Sequence, residues 1–287
     1  SPYYEHKHGD RGDVLRARHA DTGLPLIYLN CVGGQDELVF DGHSLTVDGR
    51  GQVSRPAALC ESALLGVRFD PDAGDLHHDH WPAGETELLP VNYAVLKRGL
   101  RDYVRKNGFE TVVLGLSGGI DSAVTAAVAA DALGGDRVHG VMLPSRHTSE
   151  LSLVMASEQI ELLGLTPDNI SIEPLYQAAL VQLSSAFSGR REGVAEENLQ
   201  ARARGMLLMA LSNKFGHLLL ATSNKSELAV GYSTLYGDMC GGYSPLKDCL
   251  KGMVYRLAGW RIQKSPAIPK GIITRPPSAE LAPDQLD

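Results

Sequence analysis

The sequence is short of several things, and each shortage excludes something. Its 287 residues hold four cysteines, Cys31, Cys60, Cys240 and Cys249. No C-x-x-C pair occurs, and the spacing matches no zinc ribbon. They read as reduced thiols of a cytoplasmic protein rather than as a disulfide framework. No apolar run reaches the roughly 18 residues of a membrane-spanning helix. There is no basic excess: the formal net charge is −7, and a general nucleic-acid binder would need a basic face. An anionic ligand stays compatible if basic side chains gather locally. The opening SPYYEHKHGDRGD has neither the apolar core nor the cleavage pattern of a signal peptide. It also lacks an initiator methionine, and the expectation is an internal fragment of a longer polypeptide.

What is present falls into three stretches. In residues 1–69, GDVLRARHADTG has helical spacing and stops at Gly23, a C-cap residue. LPLIYLN, LVFDG and SLTVDGRGQV read as short antiparallel strands separated by glycine turns. That is too little to bury a core alone, so it looks like the tail of a larger domain. Residues 70–92, DPDAGDLHHDHWPAGETELLPVN, lose periodicity and read as a linker. Within it His77, His78 and His80 suggest either a metal cluster or a solvated acidic linker. The second is favoured, because no ordered element would hold the ligands. From residue 93 to residue 287 helices and strands alternate. The strands are expected at TVVLGL, RVHGVMLP, ISIEPL and HLLLATSN, with helices including 121–133, 177–189 and the long AEENLQARARGMLLMALSNKFG. Such alternation means βαβ units and an α/β fold, with a parallel sheet covered on both faces.

The first of these strands runs into a loop, Ser117-Gly118-Gly119-Ile120, and Asp121 and Ser122 open the next helix. A helix N-terminus leaves N–H groups unpaired and carries partial positive charge, and glycines let those groups converge on one anion. The loop therefore suits phosphate. It is not a G-x-x-x-x-G-K-[ST] loop, because no lysine precedes Ser122. Asp121 is either an ordinary first-turn residue or a carboxylate that meets the anion through a cation, for which Mg²⁺ is the natural bridge. Thr222 ends the HLLLATSN strand at the carboxyl edge, where open α/β folds bind ligands. Glu227 follows on a new helix as a second carboxylate or a solvated residue. Lys247 and Lys251 are read as one turn apart, to reach phosphates or to form a basic helix face.

The run GLSGGIDS after an apolar strand resembles the phosphate loop of the ATP-pyrophosphatase superfamily, whose members split ATP between the α and β phosphates and adenylate a substrate oxygen. Together with ATSNKSELAVGYSTLYGDMCGGYSPLKDCLKGMVYRLA at residues 221–258, it closely resembles the glutamine-dependent branch of the NAD synthetase family. The resemblance implies an ATP-pyrophosphatase (adenine nucleotide alpha hydrolase-like) domain over 93–287, preceded over 1–69 by the β-rich tail of a nitrilase-like α/β sandwich. It implies ATP contacts from Gly115, Leu116, Ser117, Gly118, Gly119, Ile120, Asp121, Ser122, Thr222 and Lys251, and from Ser278 within RPPSAEL. Mg²⁺ would be held by Asp121 and Glu227. ENLQARARGM resembles the stretch that binds deamido-NAD, which assigns Asn198, Arg202 and Glu227 to that substrate; Arg204 lies on another helix face. The ammonia-dependent branch often has a lysine at Leu235 and an aspartate at Gly242, so the contacts there differ.

The opening residues resemble the end of a nitrilase-type glutaminase domain, in which Ser1 and Lys7 map to glutamine contacts. That domain's catalytic Glu, Lys and nucleophilic Cys lie upstream of this stretch and are not in this chain. Cys31 stands where relatives commonly carry glutamine and reads as a small buried hydrophobe. The chain stops at APDQLD, ahead of the family's last helical region. The implied function is a carbon–nitrogen ligase reaction: ATP-dependent amidation of deamido-NAD to NAD, with ammonia from glutamine in the full-length protein. The implied protein is a cytoplasmic homo-oligomer that uses neither nucleic acid nor membrane. The alternatives are another amidotransferase of the superfamily, such as GMP synthetase, or a nucleotide-binding module without turnover.

Overall fold

The computed structural model describes residues 1–78, 83–276 and 280–282. The chain divides into two compact units, Ser1–Tyr103 and Val104–Asp287. In the first, helix α1 (Lys7–Thr22) ends where Gly23 turns left-handed at φ 66° and donates its N–H to His19 O. Four short strands follow: β1 (Leu26–Tyr28), β2 (Val32–Gln35), β3 (Leu38–Asp41) and β4 (Leu45–Val47). β1 pairs antiparallel with β4, and β2 with β3. Beside the buried Leu45 and Val47 of β4 lies a buried polar cluster. The Arg11 guanidinium is 2.9 Å from Asp41 Oδ1, and Asn30 Nδ2 donates to the same oxygen at 2.9 Å. His43 Nδ1 lies 3.4 Å from Asp41 Oδ2. Burial alone would raise the Asp41 carboxyl, but His43 and Arg11 outweigh it and hold the group below its ordinary range.

The stretch expected as a linker holds regular structure. β5 (Val67–Asp70) and β6 (Asp75–His78) form an antiparallel hairpin, and helix α2 (Leu88–Lys106) begins inside the same stretch. The acidic run is the hairpin's turn: Asp70 Oδ1 accepts from the backbone N–H groups of Asp72 and Ala73, an aspartate turn that needs no apolar periodicity. His77 and His78 are neighbours on β6 and so face opposite sides of the ribbon; His80 lies outside the described residues. Among the described residues no group of three His, Cys, Asp or Glu could hold a metal ion. Cys31, expected to be buried, is exposed, because it sits in the connection between β1 and β2 rather than within a strand.

The second unit contains β7 (Val112–Gly115), α3 (Ile120–Leu133), β8 (Val138–Met142), α4 (Glu150–Leu163), β9 (Thr166–Asn169), α5 (Glu173–Leu183), α6 (Val194–Phe215), β10 (Leu218–Leu219), α7 (Lys225–Val230), α8 (Lys251–Ile262) and α9 (Lys270–Thr274). The expected α/β architecture is present: the four strands form one parallel sheet in the order β10-β7-β8-β9. Val113, Val141, Leu143, Ile172, Ala203 and Leu219 form a buried cluster, with Leu207, Leu208 and Leu211 of α6 packed against it. Among the described residues no helix is long and apolar enough to cross a membrane.

The third strand is not where apolar content placed it. ISIEPL was expected to be that strand; instead the chain pairs Thr166–Asn169 with β8, and all four residues are exposed. β9 is an edge strand, so it tolerates polar residues and Pro167. Ile172 is buried at the N-cap of α5, whose first turn takes Pro174, the place where a helix loses nothing to proline. The expected helix 177–189 accordingly runs Glu173–Leu183.

Strand order decides where a ligand goes. From β7 the chain crosses to β8 and β9 on one side, then returns to β10 on the other. The order reverses between β7 and β10, and the crevice outside the carboxyl ends of these two strands is the preferred ligand position in open α/β sheets.

Candidate active site

The loop after β7 is held by its own serines. Gly119 N–H donates to Ser117 Oγ at 3.2 Å, Ser122 Oγ donates to Gly119 O at 3.0 Å, and the two hydroxyl oxygens are 3.1 Å apart. Gly118 has φ 75°, and a Cβ there would meet Ser152 O at 2.6 Å, so both conformation and space require glycine. Gly119 caps α3 without any side-chain acceptor for the helix's first N–H groups. Those donors and the positive end of α3 therefore face outward.

They face a cavity of about 290 Å³. Gly115, Leu116, Ser117, Gly118, Gly119, Ile120, Asp121 and Ser122 line it, together with Thr222, Glu227 and Lys251. Ten of these were expected to contact ATP and Glu227 to hold the metal and the second substrate, and the fold brings all eleven to one cavity. Ser278 lies outside the described residues. Lys247 does not line the cavity: it belongs to the turn ahead of α8, whereas Lys251 is the first residue of that helix, so the two do not share a helix face.

At the β10 side of the cavity three charges meet. The Lys251 ammonium hydrogen-bonds Asp121 Oδ2 and lies 3.3 Å from Glu227 Oε1. Burial, then the charge of Asp121, pushes the Glu227 carboxyl above its ordinary range. Burial would lower the Lys251 ammonium, but its bond to Asp121 and the two carboxylate charges raise it. Two acidic groups in the first turns of α3 and α7, the helices that follow the adjacent strands β7 and β10, thus converge on one cationic position. Their oxygens are hard donors of the kind Mg²⁺ takes, so the pair fits such an ion.

Two groups in the site were missed from sequence. Arg204 lines the cavity, and among the described residues its guanidinium makes one hydrogen bond, Nε to Leu143 O at 3.1 Å, and no salt bridge. Burial lowers its pKa against the charge of Glu280. Ala201 and Gly205, four apart on one face of α6, line the cavity with Arg204 and are the sequence signal that this face is packed. Glu280 also lines the cavity, accepting from Ser152 Oγ at 2.9 Å and from Arg275 at 2.6 Å.

The residues assigned to the second substrate lie elsewhere, apart from Glu227. Asn198 Oδ1 accepts from Thr234 Oγ1 at 2.8 Å, and Arg202 Nε donates to Leu235 O at 3.2 Å. Neither lines the cavity, but both hold the 231–240 segment, whose Tyr232, Gly237, Asp238 and Cys240 do. In the first unit Ser1 is exposed, and its hydroxyl is 3.1 Å from Tyr28 Oη. The Lys7 ammonium sits 4.4 Å from the centroid of the Tyr4 ring.

A glycine loop at a helix N-terminus, a paired carboxylate seat and a switch point in a parallel sheet define a nucleotide-binding α/β domain. Comparison with known proteins narrows the class: the model of the NAD synthase family matches residues 92–287, and the chain belongs to that family. It is 50% identical over its whole length to the glutamine-dependent NAD(+) synthetase of Xylella fastidiosa (strain 9a5c), covering 53% of that relative. The corresponding protein of Rhodobacter capsulatus is 47% identical, with 54% of it covered. The chain thus spans about half the length of these curated relatives. Among solved structures, the glutamine-dependent NAD+ synthetase of Acinetobacter baumannii in complex with ADP superposes with a TM-score of 0.91 at 43% identity, over 98% of this chain and 54% of that one. The NMN synthetase of Francisella tularensis gives 0.64 at 32% identity, over 71% of this chain and 80% of that one.

Proposed function

We propose that the second unit carries the ATP-dependent amidation of deamido-NAD to NAD, with ammonia supplied from glutamine in the whole protein. The observation that carries this reading is the convergence of Asp121 and Glu227 on one cation beside the phosphate loop. The Acinetobacter baumannii relative with bound ADP supports an adenine nucleotide in this cavity.

The reaction has two steps. The nicotinate carboxylate attacks the α-phosphorus of ATP, and pyrophosphate leaves. Ammonia then adds to the acyl carbon of the adenylate, AMP leaves with the C–O bond electrons, and the nitrogen loses a proton to give the amide. A carboxylate resists ammonia; an acyl adenylate does not, because AMP is a good leaving group. No side-chain nucleophile is needed. The protein's part is positioning and neutralisation of charge as it develops.

The loop N–H groups and the N-terminus of α3 take the phosphates, and Lys251 offers a point charge on the same side of the cavity. Asp121 and Glu227 would hold Mg²⁺, whose charge would offset that of the phosphates. Thr222 and Ser278 complete the ATP contacts. Asn198 and Arg202 set the 231–240 segment as the wall against which deamido-NAD lies, with Glu227 at the boundary of the two substrates. Ser1 and Lys7 contact glutamine. The same proposal takes the protein to be a cytoplasmic homo-oligomer.

The test is pyrophosphate release by the intact protein supplied with ATP, Mg²⁺ and ammonia. The expected result is release matched by NAD formation with deamido-NAD, and little release with nicotinate mononucleotide, XMP or no acceptor. XMP-dependent release would move the protein to the GMP synthetase type. No release with any acceptor would leave a binding module.

A further inference from the structure

Between the two carboxylates lies a side chain with no exposed surface, that of Asn224. It is the N-cap of α7. Its Oδ1 accepts the Glu227 N–H at 3.0 Å, and its own N–H donates to Glu227 Oε2 at 3.1 Å, a reciprocal capping box. A cap accounts for only half of the side-chain amide. The other half, Nδ2, donates to Asp121 Oδ1 at 2.8 Å, across 103 residues of sequence.

The oxygens are divided in a consistent way. Asn224 takes Oδ1 of Asp121 and Oε2 of Glu227. The other oxygen of each, Oδ2 and Oε1, is left for the cationic position that Lys251 fills in this structure. One residue thus occupies the rear oxygen of each carboxylate and turns the front oxygen inward. Few side chains can do both. Aspartate caps well but has no donor for Asp121. Serine carries donor and acceptor on one atom and is too short to reach both neighbours.

We propose that Asn224 is the positioning residue of the metal seat: it fixes both acidic ligands from behind and thereby sets the affinity for the divalent ion. This rests on the reading of Asp121 and Glu227 as metal ligands. Groups that orient metal ligands typically change metal affinity or activity by about 10–100-fold when lost.

The decisive measurement is Mn²⁺ affinity, followed by electron paramagnetic resonance in the intact protein with a non-hydrolysable ATP analogue. Asn224→Ser keeps a cap oxygen and loses the reach to Asp121. The expected result is a melting temperature near that of wild type, Mn²⁺ affinity at least about tenfold weaker, a rate restored by excess Mg²⁺, and an unchanged KM for deamido-NAD. Asn224→Thr, which also caps, is the second variant should the serine protein fail to fold. Wild-type Mn²⁺ affinity in Asn224→Ser, beside a loss in Asp121→Asn, overturns the positioning role and leaves the metal seat standing. No binding by wild type, or undiminished binding by Asp121→Asn and Glu227→Gln, overturns the metal seat itself and this inference with it. If neither capping variant folds, Asn224 is a structural residue and the positioning role is refuted.

Discussion

The two units treat charge in opposite ways. In the first, the side chains of Arg11 and Asp41 are 3% and 1% exposed, and Asn30 and His43 complete the cluster around the carboxylate. In the second, Lys251, Asp121 and Glu227 keep 30%, 16% and 25% of their side-chain surface and edge a cavity. Both are clusters of opposite charge at hydrogen-bond distance. One is enclosed by the fold; the other is left open on one side, where it lines the cavity proposed as the site. Removing a partner should therefore cost stability in the first unit and chemistry in the second.

The largest effect is expected at Asp121. Asp121→Asn should lower turnover about a thousandfold, the upper range for loss of one preorganised electrostatic contact, with the melting temperature nearly unchanged because half-open ion pairs contribute little to stability. A large fall in melting temperature would erase the contrast between the units. Asp41→Ala comes next and should act the other way. Stranding a buried arginine costs about 3–5 kcal/mol, to be read from urea unfolding of the first unit, while replacing Arg11 and Asp41 together with apolar residues should recover much of it. The pH dependence has a definite sign. Asp41 is held below its unfolded value, so its contribution is fully present above roughly pH 4. It is lost as pH falls through the depressed folded value, and Asp41→Ala should abolish that part of acid unfolding.

Arg204 sharpens the comparison, since it is a partly buried cation lining the cavity with no ion pair among the described residues. Arg204→Met should lower turnover about a hundredfold and leave the melting temperature unchanged or raised, the opposite sign to Asp41→Ala. A drop in stability without loss of turnover would make Arg204 scaffold after all. The smallest effect is at Cys60. Burial, then the charge of Asp41, pushes its thiol up to about 12, so mass spectrometry after iodoacetamide treatment at pH 8 should find it unmodified in the native protein and alkylated in urea.

Much of the site was legible because its parts are local. The GLSGGIDS run contains strand end, glycine turn and helix start within one stretch, and local stereochemistry says that such a turn presents donors. Asn224 was also written locally, as a cap three residues before Glu227, but its bond to Asp121 joins positions far apart in the chain and has no sequence signal. Arg204 was read only as lying on a different face from Arg202. The strand at residues 166–169 was displaced to ISIEPL because an edge position accepts polar residues that apolar content cannot reveal. The hairpin within residues 67–78 was hidden for a similar reason: its turn is closed by backbone donors to Asp70, not by hydrophobic alternation.

Sequence alone determined the βαβ alternation, the glycine turn that opens α3 and the residue types that approach it, since these follow from periodicity, helix ends and glycine geometry over a few neighbours. Only the tertiary structure decided that β10 lies beside β7 rather than beyond β9. That choice brings Glu227, Asn224 and Lys251 to Asp121, and it leaves one oxygen of each carboxylate facing the cavity. Strand order depends on how the whole sheet buries its two faces, a sum over the unit that no short stretch of sequence contains.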